Sequence, residues 1–416
     1  MQPAGNRDAS YKASVAWLFG TQLFGIKLGL DNIHRLLAAL DLPAASHRII
    51  HVAGTNGKGS VCAMIESIAR AQGYRTGLFT SPHLVSFRER IQVDGEQISK
   101  DAVVRGLNEL RNVIAGWDPH PTFFEITTAL ALQDFRRANC DVVVLETGMG
   151  GRLDATNAII PVVSVITPIA LDHQKWLGNS LAEIAAEKAG IIKPRIPVVS
   201  ARQDPVAEGV LREKAAACKA PIEFVEQGAA TRWVNLAGAH QQENAALAIA
   251  ALRSSGITID KNFVDAGLAK VTWPARFHRW DNRIVIDGAH NPAGAASLVE
   301  TWRETFGDTR ASVILATLRD KDTAGIVSAL LPITARVFLP EARAERALPP
   351  DQQADVVRSA ASSSSLYVSI QRNLATALEE ALRCESPILI TGSLHFAGEA
   401  LALLGGDPSE LEACLQ

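Results

Sequence analysis

Cysteine is scarce in this chain, and what there is has no framework. The five residues Cys62, Cys140, Cys218, Cys384 and Cys414 are scattered, odd in number and without metal-ligand spacing. That excludes a disulfide-stapled domain and a cysteine zinc site, and it fits a reducing, cytoplasmic setting. An excess of positive charge is also missing. Lys and Arg total 41 against 44 Asp and Glu, for a formal charge of −3. Nucleic acid is therefore not an expected partner, and any anionic substrate must be held by local lysines, arginines and metal ions. No apolar run reaches the roughly 18 residues of a membrane span, and Met1 to Arg7 carries no apolar signal core, so no membrane association is expected. What remains is a globular composition, 47% hydrophobic and 20% charged. At 416 residues it exceeds the usual ceiling for one core, so two domains are expected.

The first ten residues read as disordered, and Gln22 to Leu30 as a glycine-punctuated loop. Leu30 to Leu42 is an amphipathic helix with Asp31 as its N-cap and Ile33, Leu36, Leu37 and Leu40 on one face. From Arg48 onward, short β-branched runs alternate with helical patterns. Strands are predicted at 48–53, 76–80, 141–146, 162–167 and 197–200, with a hairpin turning at Asp94-Gly95. Helices are predicted from Ser99 to Val113, Thr122 to Arg137, Leu181 to Ile192 and Gly238 to Ser255, then a shorter one capped by Asp260. Trp273-Pro274-Ala275-Arg276 reads as a linker. Beyond it the alternation restarts, with strands at 283–287, 313–317, 337–339 and 388–391. Ser362 to Ser365 is a surface loop. This alternation predicts parallel, doubly wound sheets, in which ligands gather at the carboxyl ends of the strands.

One stretch there invites an anion. Arg48 to Ala53 is a strand, Gly54-Thr55-Asn56-Gly57-Lys58-Gly59-Ser60 a tight loop, and Val61, Met64, Ile65 and Ile68 recur at helical spacing. Small residues let backbone N–H groups approach phosphate, and the helix N-terminus favours negative charge. Lys58 would meet terminal phosphates, and the Ser60 hydroxyl could ligate Mg²⁺. The spacing departs from the general phosphate-loop pattern, so a packed strand-to-helix turn is the competing reading. Glu146 closes an apolar strand where an acid is costly unless bound to a metal or paired, for instance with Arg152. His173, past the strand ending at Thr167, is either a ligand or a structural loop residue. Lys188 reads as a solvated helix lysine. Asp287 to Pro292 is a polar loop at a strand end or a proline-started helix. Arg276 would grip phosphate or pair at the surface.

Together these segments resemble folylpolyglutamate synthase, in many bacteria also dihydrofolate synthase, within the Mur-type ATP-dependent amide ligases. The resemblance runs from about residue 15 to residue 405. It is carried by His51-Val-Ala-Gly-Thr-Asn-Gly-Lys-Gly-Ser60, Ser81-Pro-His-Leu-Val85 with Glu89-Arg90, and Gly150-Gly-Arg-Leu-Asp-Ala-Thr-Asn157. Leu171-Asp-His173, Glu187-Lys-Ala-Gly-Ile191, Asn244-Ala-Ala246 and Pro274-Ala-Arg-Phe277 continue it. Asp287-Gly-Ala-His-Asn-Pro292, Leu318-Arg-Asp-Lys-Asp322 and Thr391-Gly-Ser393 complete it.

The resemblance implies an N-terminal P-loop-type, doubly wound, mostly parallel domain over 1–275, and a smaller C-terminal Rossmann-like α/β domain over 276–416. It implies a ligase that joins L-glutamate to dihydropteroate and to folates through an acyl phosphate, with polyglutamylation alone as the nearest alternative. A P-loop ATPase acting as a switch is the reading from another class. ATP phosphates would lie on Thr55, Asn56, Gly57, Lys58, Gly59 and Ser60, with Asn244, Arg276, Asp287 and His290 as further contacts. Two Mg²⁺ ions are implied, one on Ser60, Ser81 and Glu146, the other on Glu146 and His173. Lys188 matches a lysine that the family carbamylates, and it stands with Lys58 and His173 as catalytic. Thr122, Phe123, Phe124, Glu125, Leu153 and Asp154 would line the pterin side, with weaker support from Gly20 to Leu23. Ser393 and His395 are possible glutamate contacts. The expected state is a cytoplasmic monomer. Thr147, Met149, Ala275 and Gln174-Lys175-Trp176 depart from the family's usual residues, and none of these removes a charged or metal-binding group.

Overall fold

The β-branched run at 48–53 becomes the middle of a sheet covered on both faces. In the computed structural model the described residues are 4–24, 29–43, 46–226, 228, 233–361 and 366–412. Strands β1 (Arg48–Ala53), β2 (Thr76–Phe79), β3 (Ile91–Val93), β4 (Glu96–Gln97), β5 (Val142–Glu146), β6 (Val163–Ile166), β7 (Val198–Ser200) and β8 (Ile222–Phe224) form the first sheet. Its order is β4-β3-β2-β5-β1-β6-β7-β8, parallel except for the β2-β3-β4 hairpin arm. Ile49, Val143 and Leu145 enter one core; Ile50, Val52, Val142 and Val144 enter the other. Burial on both faces is why these strands read as continuous apolar runs.

A second sheet contains β9 (His278–Arg279), β10 (Ile284–Ile286), β11 (Ala311–Leu315), β12 (Thr334–Pro340), β13 (Tyr367–Gln371) and β14 (Ile388–Thr391). Their order is β13-β12-β11-β14-β10-β9, with only β9 antiparallel. The same division of faces recurs: Val285, Val313 and Leu389 lie in one core, Ile286, Ile314 and Ile390 in the other.

Strand register sets the site. Val52 lies beside Glu146, and Ala53 beside Ile166, so the ends of β1, β5 and β6 open at one edge. The chain leaves β1 through the phosphate-loop helix Lys58–Gln72 toward β2, while β6 continues on the other side of β1. That reversal of strand order is where α/β sheets bind ligands.

Several expectations change. Of the first ten residues, read as disordered, 4–10 are helical: a helix spans Ala4–Gly20, held by buried Tyr11, Val15 and Leu18, and residues 1–3 lie outside the described residues. Leu30 to Leu42 shortens to Asp31–Ala39; Asp31 is inside its first turn, Leu30 is the cap and Leu40 is only half-buried. Asp260 is an N-cap by position without a side-chain bond. Strands β8, β9 and β13 and the helix Pro205–Ala217 are additions. Within the expected 22–30 loop, Thr21–Phe24 reaches in as a 3₁₀ turn. Residues 25–28 of that loop, and Ser362 to Ser365, lie outside the described residues. Among the described residues no helix is long and apolar enough to cross a membrane.

Candidate active site

The phosphate loop is built by close approaches. Gly54 and Gly57 have φ of 148° and 85°, conformations that side-chain-bearing residues rarely adopt. A Cβ on Gly57 would stand 2.6 Å from the Asn244 Oδ1, so the loop presses directly on the helix Ala239–Ser254. Thr55 and Asn56 donate their N–H groups to the Pro168 carbonyl (3.0 and 3.3 Å). The Thr55 hydroxyl exchanges hydrogen bonds with the backbone of Ala170 at 3.1 Å. Lys58 folds back on the loop, its Nζ 3.3 Å from the Thr55 carbonyl.

Beneath the loop, four buried hydroxyls have no hydrogen-bond partner within the protein: Ser60, Ser81, Thr147 and Thr167. Two belong to the expected metal set. Glu146 is buried too, and one of its carboxylate oxygens accepts the Ser81 N–H at 3.0 Å. Burial pushes its carboxyl up, against the pull of Lys58, the Ser81 amide, Arg276 and Arg90. Arg152 does not pair with Glu146; it binds Glu187 at 2.8 Å. Two buried hydroxyls and an unpaired buried carboxylate suit a hard divalent cation. Among the described residues no group of three or more His, Cys, Asp or Glu side chains is placed to hold an ion alone. Hydroxyls, water and substrate oxygens must complete any such shell.

Lys188 is not solvated. It is buried, and its Nζ donates to the Gly54 carbonyl at 2.7 Å, under the phosphate loop. Burial and the nearby Lys58 charge bring its ammonium down to about 7, against the opposing charges of Asp172 and Asp154. The His173 side chain keeps 38% of its surface exposed at the rim of the site while its ring faces inward among protein atoms; its φ is 49°, and its Nε2 is 3.9 Å from Asp172. Burial of the ring, the largest influence, brings it to about 4.

The second sheet supplies the opposite wall. Asp172 binds Lys321 at 2.6 Å and lies 3.6 Å from the His290 Nε2; Asn291 donates to it at 3.4 Å. Burial alone would raise the Asp172 carboxyl, but the His290 hydrogen bond and the charges of His173, His290 and Lys321 hold it far below the usual range. Asn56 and Asn291 exchange amide bonds across the same seam (2.9 and 3.3 Å). Asp287 accepts the N–H groups of Phe277 (2.7 Å) and Ala289 (2.8 Å), so both its oxygens are committed to the turn. Arg276 is half-buried and donates to the Ala275 carbonyl at 2.9 Å; burial lowers it, against the charges of Asp287 and Glu146. His395, half-buried, is brought to about 4 by burial and by the repulsion of Arg346, Arg90 and His290. Ser393 caps the helix Leu394–Leu404 by accepting the Phe396 N–H at 3.1 Å.

The expected pterin residues divide in two. Phe124 packs on Phe79 (centroids 5.8 Å), and Phe123 is edge-on to Phe87 at 6.4 Å, so both contribute ring surface to the first core. Thr122 and Glu125 satisfy each other as a capping box. Asp154 is used within its own loop, accepting from Gly148, Met149 and Thr156. Leu153 is half-buried beside it. Sequence reasoning missed Asp172 and Lys321 as a joint between the two sheets. The only signal was their presence in the Leu171-Asp-His173 and Asp320-Lys-Asp322 strings.

These features define a ligase of the Mur type. The Mur ligase middle-domain family model matches residues 52–233, and the Mur ligase glutamate ligase domain matches residues 275–394. The chain is 34% identical to the dihydrofolate synthase/folylpolyglutamate synthase of Bacillus subtilis, covering 94% of this chain and 98% of that one. It is 37% identical to the folylpolyglutamate synthase of Lacticaseibacillus casei, covering 90% and 94%. Among solved structures, Mycobacterium tuberculosis folylpolyglutamate synthase complexed with ADP superposes with a TM-score of 0.89 at 35% identity, over 97% of this chain and 100% of that one. Escherichia coli FolC in complex with DHPP and ADP gives 0.84 at 30% identity, over 94% and 97%. The chain belongs to the dihydrofolate synthase/folylpolyglutamate synthase family of Mur ligases.

Proposed function

We propose that this protein is an ATP-dependent ligase of folate biosynthesis, joining L-glutamate to dihydropteroate and to (poly)glutamylated folates through an acyl phosphate. The observation that carries this reading is the pair of unpartnered buried hydroxyls, Ser60 and Ser81, beside the unpaired Glu146 at the mouth of the phosphate loop. ATP phosphates lie on Thr55 to Ser60. Ser60, Ser81 and Glu146 would hold one Mg²⁺, and Glu146 and His173 would serve a second. Divalent cations supply charge neutralisation for phosphoryl transfer. Asn244 reaches the nucleotide from the first domain, and Arg276, Asp287 and His290 bring the second domain, starting at residue 276, to it. Asp287 does so by fixing the turn that carries Arg276 and His290.

The chain's own residues do the remaining work. A carboxylate is a poor acyl donor until one oxygen becomes a leaving group, so the substrate carboxylate takes the terminal phosphoryl and the amine of glutamate then displaces phosphate. Lys58 offsets charge on the transferring group. The wall formed by Asp172, Lys321, His290 and Asn291 excludes water from the mixed anhydride. The positive surroundings of His395, with Arg90 and Arg346, suit the carboxylates of incoming glutamate. Thr122, Phe123, Phe124, Glu125, Leu153 and Asp154 shape the pterin side. The relative in Lacticaseibacillus casei, named only as a folylpolyglutamate synthase, favours polyglutamylation alone as the second reading.

The deciding experiment measures ATP-dependent amide formation with dihydropteroate, with tetrahydrofolate and without acceptor. Turnover requiring both glutamate and an acceptor supports the ligase. Activity on tetrahydrofolate alone leaves the second reading, and phosphate release indifferent to both rejects the ligase. The loop itself is tested by Gly57→Ala, whose left-handed backbone should cost about 1–2 kcal/mol before any clash with Asn244. A lower thermal midpoint together with weaker ATP binding by calorimetry is expected. Unchanged ATP affinity would remove this loop from the nucleotide site.

A further inference from the structure

The segment after the last helix returns to the first sheet. Beyond Leu394–Leu404 the chain reaches the loop between β2 and β3, where Glu412 bonds to it. Its N–H donates to the Val85 carbonyl at 2.8 Å. One carboxylate oxygen accepts from the Phe87 N–H (2.5 Å), the Tyr11 hydroxyl (3.1 Å) and the Ser86 hydroxyl (3.4 Å). Three elements distant in sequence therefore converge on one carboxylate: the N-terminal helix, the 81–90 loop and the end of the second domain. Tyr11 is buried, and burial with the adjacent Glu412 charge pushes its hydroxyl up, keeping it a proton donor.

The clamped loop is the one that bears site residues. Ser81 opens it and donates its N–H to Glu146. Glu89 takes the N–H groups of Leu84, Val85 and Ser86 (2.7–2.9 Å). Arg90 closes it and donates to the His83 Nδ1 at 2.8 Å. On the far side Leu84 packs into the second domain's core, and a Cβ on Gly398 would lie 2.0 Å from the Leu84 carbonyl. The loop is thus seated on the second domain at Leu84 and tied down by Glu412 one to three residues later.

We infer that Glu412 is a positioning residue: by clamping Val85 to Phe87 it holds Ser81 and Arg90 in register with the second domain. This rests on the ligase reading for what Ser81 and Arg90 do, but the clamp itself is read from contacts alone. Glu412 is placed outside the catalytic and binding machinery and acts through the loop.

The test uses the full chain with Glu412→Gln and Tyr11→Phe, read by amide hydrogen exchange and by the Mg²⁺ dependence of amide formation. Loss of a charge-assisted bond should speed exchange at Phe87 about tenfold or more. The half-saturating Mg²⁺ should rise about three- to tenfold, as for residues acting through a contact network. Tyr11→Phe should shift both readouts in the same direction by less, and it stands in if Glu412→Gln does not fold. Wild-type exchange at Phe87, or faster exchange with unchanged Mg²⁺ dependence, overturns the inference. A wild-type protein that forms no amide overturns the ligase reading instead, leaving the exchange result to judge the clamp.

Discussion

Glu146→Gln should abolish most turnover while leaving the protein as stable as before, or more so. Glutamine keeps an oxygen for the Ser81 N–H, so the 3.0 Å bond has a substitute. What is lost is the negative charge at the end of β5, and removing one preorganised electrostatic contribution costs about 10²–10³ in rate. Stability moves the other way because an unpaired buried carboxylate is costly. The sign follows from linkage: burial raises the folded carboxyl above its ordinary value, so the charged form penalises folding once pH exceeds that ordinary value. The gain from Gln is then full above the raised folded value, shrinks as pH falls through it, and disappears in acid below the ordinary glutamate range. Thermal melts across pH, beside steady-state assays, measure both halves. A variant that is inactive and clearly less stable at neutral pH would show Glu146 to be a structural acid.

Lys188→Ala is the second large effect. The amine lies under the phosphate loop on the Gly54 carbonyl, and its pKa of about 7 leaves a substantial neutral fraction at physiological pH. A neutral amine can take up carbon dioxide, and the resulting carbamate would replace a repelling ammonium by a negative group near the metal site. The substitution should reduce activity about 10- to 100-fold, as for a group supporting a metal shell. Small carboxylates added to the assay should restore part of it. In the wild type, activity at fixed bicarbonate should fall as pH drops through about 7, where the amine protonates. The same depression makes folding stability rise with pH from about 7 toward the ordinary lysine value of 10.5, since the unfolded chain binds the extra proton. Intact-mass measurement of active protein in bicarbonate settles the modification: an unmodified Lys188 would reject it.

What could be read from the sequence was what is contiguous in it. The strand, glycine loop and helix from Arg48 to Gln72 form one local unit, and their order predicts the phosphate cradle directly. Glu146 was legible because an acid interrupts a valine run. Lys188 was not, because its burial depends on the Gly54 carbonyl 134 residues away, and only the family resemblance marked it. Asp172 escaped for the same reason: its partner Lys321 comes from the other sheet, 149 residues later. The N-terminal helix was hidden by polar composition, since Tyr11, Val15 and Leu18 gain their meaning only by packing on the helices they meet. Strand β13 keeps Tyr367 and Ile370 exposed, so it lacks the apolar run that betrays a buried strand.

The covalent crossing between the two sheets runs through Trp273 to Arg276, and that crossing is not remote from the glycine loop at 54–60. Trp273 packs so closely on the start of the phosphate-loop helix that a Cβ on Gly59 would lie 2.7 Å from its indole nitrogen. The pivot and the cradle are therefore neighbours. Any swing of one sheet against the other must be felt at Gly59, and any ligand that tightens the loop must bias the swing by the same free energy. On the proposed reading, occupancy of that loop and the posture of the two sheets would be two readings of a single balance.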